Sequence, residues 1–199
     1  MARTVEFFFD FISPYSYLAS TRVEAMAKRV GATVRWRPFF LPGVMKATGN
    51  HGPTSIPAKA AWVWKDVQDW SKYLGLPPMV LPETFPFLAT QANRVALVMD
   101  EKGRIREFAE PTFRRIWVEG HDVSDPATLA AILTGLGEDP APILERAQSQ
   151  ELKDRLRANT DEAVQRGAFG APTFFVGDEL FVGNDRLDFV ERALAALPA

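Results

Sequence analysis

The chain has 199 residues, a formal charge of −2 and no cysteine. This balance leaves no basic face to neutralise phosphates, so nucleic acid is not an expected partner, and the missing thiols exclude disulfides, cysteine nucleophiles and cysteine-bound metal. An apolar fraction of 47% with 24% charged residues is that of a globular protein, His51 and His121 lie too far apart in sequence to suggest a metal centre, and no apolar run reaches membrane-spanning length.

Met1-Ala2-Arg3-Thr4 leads straight into an apolar run from Val5 to Phe11 that reads as a buried strand. That start predicts no signal peptide and a cytoplasmic protein. Ser13-Pro14 then opens a helix over 14–30, in which Leu18, Ala19, Val23, Met26, Ala27 and Val30 keep helical spacing until Gly31 stops it. Residues 32–40 alternate as a second strand, with Val34, Trp36 and Pro38 on one side, and a right-handed crossover makes the two strands parallel. The middle of the chain reads as helices over 58–74, 89–102, 104–119, 126–136, 141–147 and 150–166, with a Pro-rich stretch from Pro77 to Pro86. Pro126 suits a helix start after Ser124-Asp125, whereas Pro111 is expected to bend or divide its helix. Thr173 to Val176, a Gly177-Asp178 turn and Glu179 to Val182 make a β-hairpin, and a last helix over 186–197 aligns Leu187, Val190, Leu194 and Leu197 in one stripe.

A β-α-β start and a β-β-α end are the two halves of a thioredoxin-like fold. The expected class is therefore α/β, with a discontinuous core of residues 1–53 plus 167–199 and an all-helical insertion of residues 54–166.

In that architecture the first strand-to-helix step carries Cys-x-x-Cys; here it reads Ser13-Pro14-Tyr15-Ser16. With no thiol in the chain, any sulfur must arrive on a ligand. Ser13 before Pro14 is a standard helix cap. Its hydroxyl is equally placed to donate a hydrogen bond to an incoming thiolate, which a helix N-terminus also stabilises. No neighbouring base points to a serine-hydrolase triad. Ala171-Pro172 is either a simple strand start or the Pro that thioredoxin-like folds usually hold in cis, with the Ala171 backbone free to pair with an extended peptide. Gly183-Asn184-Asp185-Arg186 reads as a helix cap and also as an amino-acid clamp, with helix-start amides for a carboxylate and Asp185 for an ammonium group. Asn50 lies in a loop between the second strand and the insertion, flanked by Lys46 and Lys59, either of which can meet an anionic ligand. Trp62, Trp64, Trp70, Phe85, Phe87 and Trp117 are core or subunit-interface aromatics, a subset of which is suited to wall an apolar cleft.

Taken together, Phe9-Asp10-Phe11-Ile12-Ser13-Pro14-Tyr15-Ser16-Tyr17-Leu18, Arg37-Pro38 through Gly43-Val44-Met45-Lys46 to Gly49-Asn50, Ile56-Pro57-Ala58-Lys59, Gly167 to Thr173 and Gly183-Asn184-Asp185-Arg186 resemble the 2-hydroxychromene-2-carboxylate isomerases and the kappa-class glutathione transferases. Both belong to the disulfide-oxidoreductase-like branch of the thioredoxin superfamily. The resemblance implies glutathione as the cofactor, with Ser13 at its sulfur, Ala171 before Pro172 on its cysteinyl backbone, Asn184 and Asp185 at its γ-glutamyl end and Asn50 at the border. It further implies a homodimer and a small aromatic substrate, isomerised through reversible addition of the thiolate. Met45 and Ile56 depart from the isomerases where contacts to a substrate carboxylate are expected. Arg37-Pro38, Met45-Lys46 and the Lys59 region are more similar to the kappa transferases, whereas the Gly183-to-Leu187 run and the chain length are more similar to the isomerases. A glutathione transferase is thus the alternative activity, and a non-catalytic thioredoxin-like binding module a third reading.

Overall fold

A computed structural model describes residues 3–198; Met1, Ala2 and Ala199 lie outside the described residues, and with them the first steps of the expected leaderless start. Among the described residues four strands form one mixed sheet in the order β2-β1-β3-β4. β1 (Thr4–Phe9) runs parallel to β2 (Thr33–Pro38) and antiparallel to β3 (Thr173–Val176), which pairs with β4 (Glu179–Val182). This is the expected thioredoxin-like α/β core.

The run of three Phe in β1 follows from its central place, since a strand covered on both faces has no polar side. Phe7 and Phe9 join Trp36 and Phe174 on the face covered by α1 (Pro14–Arg29) and α9 (Leu187–Ala196), and Phe7 stacks on Phe174 at 5.2 Å. Phe8 points the other way, to Phe39 and Phe175 beneath α2 (Leu41–Thr48) and α8 (Gln150–Gln165). Glu6 shares that second face by strand alternation. There Arg37 bonds Glu6 at 2.6 Å and Glu162 at 2.6 Å, while Arg166 bonds Glu6 at 2.7 Å and lies 3.7 Å over the Phe175 ring. Burial pushes the Glu6 carboxyl up, but the two guanidinium groups prevail and hold it below its usual range.

Between the sheet halves run α3 (Pro57–Tyr73), α4 (Thr90–Glu101), α5 (Ile105–Trp117), α6 (Pro126–Gly135) and α7 (Pro140–Arg146), joined to the main core by one apolar cluster that reaches from Phe7 to Trp117 and Leu156. No described helix is long and apolar enough to cross a membrane.

Four local expectations are corrected. The first strand ends at Phe9, because Asp10 turns the chain and its carbonyl accepts the Ser13 amide at 3.0 Å. Residues 41–48 form α2, a helix hidden in sequence by its Leu41-Pro42-Gly43 opening. Pro is tolerated in that first turn, and Gly43 lets the Phe40 ring approach within 3.0 Å of where a Cβ would stand. Pro111 does not divide α5, whose buried Phe108, Ala109, Phe113 and Trp117 anchor it on either side of the missing amide. Finally, Asn184 to Arg186 form a single 3-10 turn ahead of the last helix.

Candidate active site

The helix start behaves as its residues require. Pro14 occupies the first turn of α1, where its missing amide is no loss, and the Ser13 side chain accepts a hydrogen bond from the Ser16 amide at 3.1 Å. Ser13 is only 3% exposed, and its hydroxyl donates to the Ala171 carbonyl at 3.0 Å. The Ala171-Pro172 bond is cis. The Pro172 carbonyl in turn accepts the Gly183 amide at 2.9 Å, which brings the Asn184-Asp185 turn beside the same loop. Asn50 arrives from the other direction: its side-chain amide donates to the Phe169 carbonyl at 2.8 Å and its Oδ1 accepts the Gly52 amide at 2.9 Å. Four sequence motifs therefore meet around one helix N-terminus.

The expected clamp is divided in its duties. Asn184 is buried and makes no side-chain cap; its Oδ1 and its backbone carbonyl both accept from Arg22, at 3.1 and 2.6 Å. Asp185 is exposed and pairs with Arg186 at 2.9 Å. Its carboxylate lies over Gly183, whose φ of 111° and lack of a Cβ make the approach possible: a Cβ there would stand 2.5 Å from Asp185 Oδ1. Lys46 and Lys59 are exposed and make no hydrogen bond or ion pair among the described residues. Of the aromatics, Trp117 and Phe87 are core, while Trp62 is 60% exposed on α3.

Three features around the helix start escaped the sequence. Tyr15 donates to Asp66 of α3 at 2.7 Å. Burial, followed by the bond to Asp66 and the nearby Asp66 and Asp185 charges, pushes the phenol well above its ordinary range, so it stays a protonated donor. Arg22 lies 5.2 Å over the Trp70 ring and orients Asn184; burial pulls its pKa below the ordinary arginine value without neutralising it. Asp10 is fully enclosed and accepts from Leu41 N at 2.8 Å, Asn93 Nδ2 at 2.9 Å and Ile12 N at 3.3 Å. Burial pushes this carboxyl up to about 6 against the pull of those donors. The i to i+4 spacing of Trp62, Asp66 and Trp70 was the available signal for the α3 face. Asp10 had none beyond its place in an apolar segment.

Comparison with known proteins agrees with this geometry. The model of the DSBA-like thioredoxin domain matches residues 4–195. A 2-hydroxychromene-2-carboxylate isomerase of Sphingobium xenophagum is 36% identical over 98% of this chain and 99% of its own. The chain belongs to the 2-hydroxychromene-2-carboxylate isomerase family. The solved structure of such an isomerase superposes with a TM-score of 0.84 at 31% identity, covering 96% of this chain and 94% of that one. A glutathione S-transferase kappa 1 of Caenorhabditis elegans is 29% identical over 96% of this chain and 90% of its own length. The relatives are named as enzymes, and by this kinship the chain is an enzyme.

Within this isomerase-family site Ser16, the second Ser of Ser-x-x-Ser, lies inside the fold. It is wholly buried, and its hydroxyl has no partner among the described residues. A polar group that forms no bond contributes no bond energy, and its removal relieves desolvation. Ser16→Ala is accordingly expected to keep or raise thermal stability, whereas a drop of more than about 1 kcal/mol in denaturant unfolding would mean that the hydroxyl has a partner.

Proposed function

We propose that this chain is a glutathione-dependent cis-trans isomerase acting on 2-hydroxychromene-2-carboxylate or a closely related conjugated aromatic acid. The reading rests on the Ser13 hydroxyl: it is buried at a helix N-terminus and within 3.0 Å of the backbone that precedes a cis-Pro. A thiolate carried on a short peptide would meet there a hydroxyl donor, the positive end of a helix and an edge of backbone groups at once. These residues fit glutathione in kind: Ala171 for a main-chain pair, Asp185 for an ammonium group and the Asn184 turn for a carboxylate. Glutathione, when bound, supplies a thiolate that adds reversibly to the conjugated substrate and departs after rotation about the former double bond.

Ser13 has one hydroxyl proton, and without ligand it is aimed at the Ala171 carbonyl. To serve a sulfur it swings away from that carbonyl, while the Ser16 amide keeps its bond because it uses an oxygen lone pair. The carbonyl so released accepts from the bound peptide. The Ala171 amide, which has no backbone partner among the described residues, donates to it. Asn50 holds the Phe169 loop that borders the site, and Tyr15 presents a neutral phenol next to it. Lys46 and Lys59 are the cations proposed to meet the substrate carboxylate. Exposed Ile56, Trp62 and Tyr73 suit an apolar substrate cleft and the face of a homodimer, in a cytoplasmic setting where glutathione is plentiful.

Two measurements test the reading. Glutathione should raise the unfolding temperature, by about 2.7 kcal/mol of stability at a hundredfold excess over Kd. Isomerisation of the chromene substrate should require it. No shift at millimolar glutathione would remove the cofactor from the proposal. Conjugation of an aryl halide without isomerisation would instead favour the kappa transferase reading, which the 29% identical relative supports.

A further inference from the structure

A cavity lies between α2, α4 and α8. It is an open cleft of about 580 Å³ whose lining includes Phe40, Ala47, Leu156 and Val164 together with Arg94, Lys153 and Arg157. None of Ser13, Asn50, Ala171, Asn184 and Asp185 lines it. Its size falls among small-molecule sites, which combine apolar walls with a few convergent polar groups.

The charges are the informative part. Most arginines of this chain are paired with carboxylates, among them Arg29, Arg37, Arg104, Arg146 and Arg166. Among the described residues Arg94, Lys153 and Arg157 make no ion pair, although they converge on one cleft. Lys153 and Arg157 stand four residues apart on α8, a spacing at which like charges repel. Asp161 adds one carboxylate on the same helix face, and no ion pair links it to Arg157. Arg94 is half-buried, donates to Gln148 at 3.2 Å, and has a buried Nε with no partner. Burial alone pulls its pKa below the ordinary arginine value. A half-buried guanidinium with an unused buried donor shares this cleft with two unpaired cations and with apolar side chains, a lining suited to an anion.

We propose that this cleft is a second binding site for a small organic acid with an apolar body, its carboxylate held by Arg94 with Lys153 and Arg157 and its body laid against Phe40, Leu156 and Val164. A bidentate guanidinium contact supplies orientation, and the apolar wall selects against simple inorganic anions. The site is independent of glutathione and of the reaction at Ser13.

Calorimetric titration of the full chain with biphenyl-4-carboxylate tests this directly, beside its neutral amide and inorganic phosphate. The acid should bind at one site per chain, at least about tenfold tighter than the amide or phosphate. Arg94→Gln should weaken it by about tenfold or more, and Ala47→Trp, which fills the cleft from the exposed side of α2 without removing a charge, should abolish it. Ser13→Ala should leave it unchanged. Unfolding temperatures of the variants establish that each is folded. Equal affinity in wild type, Arg94→Gln and Ala47→Trp would overturn the proposal. So would phosphate binding as tightly as the acid, or loss of binding in Ser13→Ala, which would place the acid in the first site.

Discussion

Ser13→Ala is expected to lower glutathione-dependent turnover at pH 7 by about 10- to 100-fold, with the deficit shrinking as pH rises. A hydrogen bond to a charged group is worth about 1.5–3 kcal/mol, which corresponds to about one to two pH units in the acidity of the thiol it serves. The α1 N-terminus remains in the variant and keeps part of the stabilisation. At pH 7 the variant therefore holds less thiolate; near the ordinary thiol value of about 8.5 and above, the fraction recovers and the rates converge. Ser13→Thr restores a hydroxyl and should restore most of the rate. The same Ala substitution removes the partner of the Ser16 amide and of the Ala171 carbonyl, a capping loss of about 1 kcal/mol. Rates against pH for the three proteins at saturating glutathione separate the two effects. A Ser13 that is only a cap would lower the unfolding temperature and leave the pH profile where it was, and that outcome would sink the thiolate role.

The ends of this chain were readable because their local signals and their burial agree. The Phe run of β1 needs two covered faces, the Ser13-Pro14 step needs a helix start, and Gly177-Asp178 needs a tight turn; each needs only neighbours in sequence. The β-α-β and β-β-α halves followed. What was not readable depends on partners far along the chain. Tyr15 and Asp66 are 51 residues apart and Arg22 and Asn184 are 162 apart, and nothing local marks either pair. The helix at 41–48 was hidden because Pro42 and Gly43, which signal a turn in isolation, are tolerated in its first turn under Thr160 and Phe40. Ser16 shows the same limit in reverse. It is polar, yet it is wholly buried in the first turn of α1.

Asp10 carries the largest expected effect on stability, and its sign with pH is opposite to that of the other paired carboxylates. Its carboxyl stands at about 6 in the fold against 3.8 for an unperturbed Asp. A raised value means that the neutral form is favoured in the folded state. The stability from this group is fully present below pH 3.8 and lost as pH rises through about 6. The shift of about two units corresponds to about 3 kcal/mol. Glu6 and Glu162, held low beside Arg37 and Arg166, work the other way and lose their contribution in acid, so the whole-protein profile mixes the two and a difference measurement is needed. Asp10→Asn does not titrate. Its stability deficit relative to wild type is expected to be greatest below pH 3.8 and to shrink by about 3 kcal/mol by pH 7, read from urea unfolding at each pH. Asp10→Ala at pH 7 leaves the amides of Leu41 and Ile12 without an acceptor in a dry site, and a loss of about 3 kcal/mol is expected from two such groups. A constant Asn deficit across this range would mean that Asp10 titrates as it does in an unfolded chain. Because the Asp10 carboxylate anchors the turn whose backbone carbonyl receives the Ser13 amide, either variant that still folds should shift the Ser13 hydroxyl. Its turnover should then fall with the approach to the helix start disturbed, even though the Asp10 side chain is itself buried.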